Sequence, residues 1–101
     1  MAEPTARTVA VTVRYFAAAR AAAGVTEEVL PVRASPEIDG KPDATTTVGA
    51  VIAVIADRHG TGLARVLPRC SYLLDEVAVH GPSTPVRDGQ VIDVLPPFAG
   101  G

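Results

Sequence analysis

The run Val91-Ile92-Asp93-Val94-Leu95-Pro96-Pro97 decides the fold. Its first five residues are almost continuously apolar, the mark of a strand that is covered on both faces or runs centrally in its sheet. Its end is as sharp as its body. Neither proline can donate to a ladder and each fixes φ near −65°, so the chain must leave the sheet after Leu95. The residues from Pro96 to Gly101 therefore project as an extended arm of roughly 20 Å. Upstream, Arg87-Asp88-Gly89-Gln90 and His80-Gly81-Pro82-Ser83 are turn chemistry around a very short segment at Pro85-Val86.

A second strand is legible at Thr8 to Phe16, where Val9, Val11, Val13 and Tyr15 alternate with Ala10, Thr12 and Arg14. Ala17 to Ala23 predicts a short helix of high propensity, stopped by Gly24. Thr26 to Val32 suits another strand, and Pro31 within it points to a sheet edge. Arg33 to Thr46 holds Pro36, Asp39-Gly40 and Pro42 and reads as a long surface loop. Thr47 is the expected N-cap of the main helix, which runs to about His59 because Val48, Val51, Ile52 and Ile55 share one face. Leu63 to Pro68 reads as a short connection with at most a helical turn, and Ser71 to Leu74 and Val77 to Val79 as a strand interrupted at Asp75-Glu76.

This order predicts an α+β chain with one main helix packed on one face of a mixed sheet. If the first and last strands are parallel neighbours, the architecture is a β-grasp, the ubiquitin-like fold; spacing alone leaves a ferredoxin-like split βαβ open. The length of 101 residues suits a single domain, 1–101, with a flexible N-terminus over 1–7. A hydrophobic fraction of 48% with 20% charged residues excludes wholesale disorder. Nine basic against eleven acidic residues, with four aromatics, leave little to neutralise phosphates or stack bases, so no nucleic acid is expected. The apolar runs are too short to span a membrane, and Met1 to Arg7 lacks the apolar core of a signal peptide. With Cys70 as its single cysteine, the chain is expected in the cytoplasm.

The chemistry is expected at Phe98-Ala99-Gly100-Gly101. Two final glycines arise by chance in roughly one chain in 200, and the Pro-Pro-Phe before them makes chance rarer. Glycines without a Cβ can thread a channel too narrow for side chains. A carboxylate on Gly101, ionised with an ordinary pKa near 3.5, is a poor electrophile and needs activation, most simply as an adenylate. The chain has no phosphate-binding loop of its own, so the activating enzyme must be a separate protein. Cys70, His59 and His80 are isolated in the sequence, without the partners that a nucleophile-base pair or a metal site requires. Phe98 reads either as an anchor for a partner or as a core residue folded back on the sheet.

Val11-Thr12-Val13-Arg14-Tyr15-Phe16-Ala17-Ala18-Ala19-Arg20 with Gly24, Thr47-Val48-Gly49, and Asp88 through Gly101 together resemble the ubiquitin-like sulfur carriers, the MoaD/ThiS family. Within it they are most similar to the small subunits of molybdopterin synthase. The resemblance implies that a MoeB-like enzyme uses ATP to adenylate Gly101 and that a sulfur donor converts the adenylate to a thiocarboxylate. The arm then inserts into a MoaE-like large subunit, in a heterotetramer, where the sulfur attacks the cyclic pyranopterin precursor to build the molybdopterin dithiolene. Carried over by position, Gly101 bears the sulfur, Gly100 gives the narrow neck, and Pro97, Phe98 and Ala99 meet the partner. No metal and no cofactor is expected on this chain, which is a consumed and recharged reagent, the active site lying mainly on the large subunit. The 33–46 loop is longer than is usual in the family. Alternatives are a carrier for thiamin thiazole, which shares the Gly-Gly end, a protein modifier using the same terminus, and a non-covalent ubiquitin-like binding domain.

Overall fold

The computed structural model describes residues 7–35 and 44–97. Strand β1 (Thr8–Tyr15) is followed by α1 (Ala17–Ala23) and β2 (Glu27–Arg33). A short β3 (Thr45–Thr47) leads into α2 (Val48–His59), then α3 (Thr61–Val66) and a 3-10 turn (Leu67–Arg69). Strands β4 (Ser71–Leu74), β5 (Val77–Ala78), β6 (Pro85–Arg87) and β7 (Val91–Leu95) complete the order. The main sheet runs β2-β1-β7-β4-β5, and β3 and β6 form a separate antiparallel ribbon. β7 lies in the middle, parallel to β1 from Thr12↔Val91 to Tyr15↔Val94 and antiparallel to β4 from Ser71↔Leu95 to Leu74↔Ile92. The fold is thus the expected mixed-sheet β-grasp, with the first and last strands as parallel neighbours.

The alternation read in the sequence decides which face each strand buries. Val9, Val11, Val13 and Tyr15 of β1, Leu30 and Val32 of β2, and Ile92 and Val94 of β7 pack beneath Val48, Val51 and Ile55 of α2, with Leu63, Leu67 and Val86 closing the ends. Thr47 Oγ1 accepts from the Ala50 N–H (3.1 Å), the expected N-cap, and Gly24 at φ +79° ends α1 in the left-handed region where an L side chain is strained. The start of α2 packs tightly at Gly49, where a Cβ would stand 3.2 Å from Pro82 Cβ and O and push Pro82 back by a few tenths of an ångström, while the Gly49 N–H donates to that same carbonyl (2.8 Å).

Pro31 marks the edge as expected, and the register gives the reason. Opposite it, the backbone of Ala10 bonds away from β2: its N–H donates to Asp88 Oδ1 and its carbonyl accepts from the Gly89 N–H (both 2.8 Å). The missing N–H of Pro31 therefore faces outward, where it deletes a donor that another strand could use without weakening the β1–β2 ladder.

Two expectations are corrected. Thr45 and Thr46, taken as the end of a loop, belong to β3, because Thr46 pairs with Val86 of β6 and is itself buried. The connection at 63–68 is more helical than expected: α3 begins at Thr61, its Ala64 N–H bonding back to the Gly60 carbonyl (3.0 Å), and Leu63 enters the core. Of the long segment, residues 36–43 lie outside the described residues, while its flanks are tied by Ser35 N–H donating to the Thr45 carbonyl (2.6 Å).

Candidate functional site at the root of the arm

β7 delivers the chain to its exit from the centre of the sheet. The ladder ends with Leu95 opposite Ser71; Pro96 is half-buried and Pro97 exposed. Of the candidate site residues, Pro97 is thus placed at the surface just past the central strand, whereas Phe98, Ala99, Gly100 and Gly101 lie outside the described residues.

An aromatic that the sequence reading left without a role stands beside this exit. Phe16 N–H donates to the Val94 carbonyl (3.2 Å), one step beyond the last β1–β7 pair, which sets Phe16 next to Leu95 with 38% of its surface exposed. Ala17 follows at φ +52°, a left-handed conformation that costs a non-glycine residue roughly 1–2 kcal/mol. That turn sends the chain straight from β1 into α1. The available signal was Phe16 itself, a large aromatic that follows the last alternating position of a strand.

The helix-free face of the sheet spreads from the same root. Alternation along β7 turns Val91, Asp93 and Leu95 to this side, where Arg14, the β1 partner of Asp93, shares the face. Arg14 grips Asp93 with two bonds, Nε to Oδ1 at 2.6 Å and Nη2 to Oδ2 at 2.9 Å, and leaves that carboxylate only 5% exposed. The Asp93 hydrogen bond, reinforced by its charge, holds the guanidinium above its ordinary pKa. A shallow depression of about 240 Å³ beside the pair is lined by Arg14, Asp75, Glu76 and Val91. Asp75 (φ +46°) and Glu76 (φ +71°) make the tight turn between β4 and β5. Asp75 accepts from Val91 N–H (2.9 Å) and Gln90 Nε2 (3.0 Å), and these bonds, the backbone one first, pull its carboxyl below the ordinary range. The turn is thereby pinned to the start of β7.

The opposite face holds a polar cluster that was not legible in the sequence. Glu28 Oε2 accepts from Tyr15 OH (2.6 Å) and from His59 Nε2 (2.5 Å), and Glu28 Oε1 accepts from Arg58 Nε (3.0 Å). Burial alone would raise the Glu28 pKa; the three donors outweigh it and lower it. Burial first, then the bond to Glu28, pushes the Tyr15 phenol far above its ordinary value. Tyr15 and His59 also meet edge to face, with centroids 5.7 Å apart. The cluster binds the end of α2 to the edge strand, and its geometry is that of a clasp.

Cys70 is half-buried, its Sγ donating to the Val66 carbonyl (3.3 Å), and burial raises its thiol pKa. A thiol so placed is protonated and a weak nucleophile. Among the described residues no cluster of His, Cys, Asp or Glu could hold a metal ion, and no helix is long and apolar enough to cross a membrane. What the described residues assemble is a flat platform around the exit of the central strand.

Solved structures share this architecture. The chain is similar to the Haloferax volcanii HVO 2177 protein, at 24% identity with a TM-score of 0.74, over 100% of this chain and 94% of that one. It is similar to small archaeal modifier protein 1 of Methanosarcina acetivorans, at 22% identity and a TM-score of 0.71, over 94% and 99%. It is also similar to a chain in the complex of subunits 1 and 2 of molybdopterin-converting factor from Helicobacter pylori, at 24% identity and a TM-score of 0.59, over 92% and 100%. Likeness at these identities speaks for the fold. No curated protein sequence matches the chain. Residues 13–101 match the ThiS family, a span that begins within β1 and includes Gly101. The chain belongs to the ThiS family of ubiquitin-like sulfur carriers and modifiers.

Proposed function

We propose that this chain is the sulfur-carrying small subunit of a molybdopterin synthase. One observation carries the reading: the central strand β7 ends at Leu95 and passes directly to Pro96 and an exposed Pro97, so the chain leaves the sheet where the family bears its reactive terminus. A MoeB-like enzyme brings the Gly101 carboxylate to the α-phosphorus of ATP, and pyrophosphate leaves. Hydrosulfide sulfur from a donor attacks the acyl carbon of the adenylate and AMP departs, which leaves a thiocarboxylate. Pro97, Phe98 and Ala99 seat the arm in a MoaE-like large subunit, Gly100 passes its neck, and the sulfur bonds to the pyranopterin precursor there, after which water cleaves the acyl–sulfur bond and returns Gly101 as a carboxylate. The platform of Arg14, Asp93, Leu95 and Phe16 rests against the protein that receives the arm. The two-subunit complex of the Helicobacter pylori relative supports a second subunit as partner.

The test is the intact mass of the chain after incubation with ATP, sulfide and the activating enzyme. Exchange of one oxygen for one sulfur at Gly101, followed by transfer to the pterin in the presence of the large subunit, is the expected result. Deletion of Gly100 and Gly101 abolishes charging and leaves the melting temperature nearly unchanged, because residues beyond the sheet contribute few contacts. An isopeptide adduct on lysine in place of the thiocarboxylate identifies a protein modifier. Charging without pterin sulfuration, with sulfur passing to thiazole synthesis, identifies the thiamin branch.

A further inference from the structure

The nine basic residues of the chain divide unevenly: eight are arginines and one, Lys41, is a lysine. All eight arginines fall in residues 7–35 and 44–97, so the whole described body carries its positive side chains as guanidinium. Seven of them are exposed, and they occur in every layer, from Arg20 in α1 and Arg33 in β2 to Arg65 in α3, Arg69 in the 3-10 turn and Arg87 in β6. Arg14 uses the fork that distinguishes arginine, with two bonds to Asp93. Arg58 gives Glu28 a single N–H, a contact that an ammonium group also makes. Arg20, Arg33, Arg65 and Arg69 make no hydrogen bond or ion pair with a described residue.

At those positions lysine would supply the same charge, and the chemical difference between the two side chains is nucleophilicity. Lysine, with an ordinary pKa near 10.4, releases a free amine with a lone pair at a useful rate; guanidinium, with a pKa above about 12, does not. The reactive group that the proposed function creates is an acyl carbon at the tip of an arm of roughly 20 Å. Five strands about 4.8 Å apart span roughly 19 Å, so the contour length of the chain beyond the central strand is comparable to the width of its own body.

We infer that the body of this chain, residues 7–35 and 44–97, is an amine-free surface, which confines attack on an activated carboxyl to Lys41 and the α-amine and keeps the body itself unlinked, within one chain and between copies. The inference rests on the reading of Gly101 above. The reaction avoided is attack of an amine nitrogen on the acyl carbon: a C–N bond forms, the C–O bond to AMP or the C–S bond to a thiol breaks, and the amine proton passes to water.

The test needs no activating enzyme. The full chain is prepared with a mercaptoethanesulfonate thioester on Gly101, held at mildly alkaline pH, and followed by intact mass and peptide mapping, alongside the Arg69→Lys and Arg20→Lys variants. Arg69 stands two residues before Ser71, the β4 partner of Leu95, and is thus close to the root of the arm. Lys41 and the α-amine are present in every sample and cancel in the comparison. The native thioester is expected to be lost to water, Lys41 and the α-amine, with no linkage to residues 7–35 or 44–97, whereas each variant also gains an amide at its new lysine, within one chain or between two. Linkage to the native body, through any side chain, overturns the inference. So do variants that stay unlinked while added free lysine consumes their thioester. The reading of Gly101 fails by a different measurement, the absence of ATP–pyrophosphate exchange with the activating enzyme.

Discussion

Both faces of the sheet shelter a carboxylate, and they use it in opposite ways. On the helix side, Glu28 receives Tyr15 from β1 and Arg58 and His59 from the last turn of α2, so one side chain joins three elements. On the open side, Asp93 receives Arg14 alone, across two adjacent strands that the backbone ladder already holds. The first arrangement stabilises a tertiary junction; the second keeps a charged pair flat within a surface. A carboxylate whose donors come from separate elements closes a structure, while one matched by a single guanidinium on the neighbouring strand leaves a face available for contact.

The comparison is put under greatest strain by Glu28→Ala. It strands three donors around a half-buried site and is expected to lower stability by about 2–3 kcal/mol in urea titration, with ATP-dependent charging of the folded protein unchanged. Lost charging at full stability would move Glu28 from the clasp to the functional face. The same group sets an acid limit. Because its folded pKa lies below its ordinary 4.5, its contribution is complete above that value and is lost as pH falls through and below it. The melting temperature of the native chain is therefore expected to drop more steeply between pH 5 and pH 3, on the order of two units around the ordinary carboxylate range, than that of Glu28→Gln.

Under the proposed function the other expected losses are in binding. Phe98→Ala should weaken association with the large subunit by about 2 kcal/mol, and Phe16→Ala by less, with little change in melting temperature. Calorimetry that finds binding intact and the Phe98→Ala monomer much less stable would return Phe98 to the core. A smaller effect of opposite sign is expected at Thr46, whose buried hydroxyl has no hydrogen-bond partner among the described residues. Thr46→Val should stabilise the chain by up to about 1 kcal/mol in thermal unfolding. The smallest effect is at Cys70. Its thiol, raised by burial and bonded to Val66, is not expected to carry sulfur, and Cys70→Ser should be charged at Gly101 as the native chain is. Loss of charging in a folded Cys70→Ser protein would move the chemistry to the thiol.

What could be read in advance follows from the range of the interactions involved. β1 and β7 declared themselves because alternation and a continuous apolar run are local properties, and Thr47 and Gly24 because helix ends are set by the few residues around them. β3 did not, because Thr45-Thr46-Thr47 has no hydrophobic alternation and becomes a strand only through Val86, far along the chain. α3 escaped because six residues are too few to show a period. The Glu28 cluster was illegible for the same reason as β3: Glu28 and His59 are 31 residues apart and meet only once α2 has crossed the sheet. The exit from the sheet after Leu95 was legible because prolines act through their own backbones, while the surface around it depends on the pairing of β1 with β7.

That pairing also governs when the protein becomes usable. Without β7 the sheet divides into the β1–β2 and β4–β5 hairpins, and isolated hairpins are marginal in water. The central strand follows every other strand in the chain, so closure of the sheet waits until β1 through β6 have emerged from synthesis. Every chain that reaches Pro96 already contains the strand that closes the sheet, and a chain broken off earlier lacks both. Under the proposed function, an enzyme that acts on residues beyond Pro97 therefore meets only chains that already hold the closing strand.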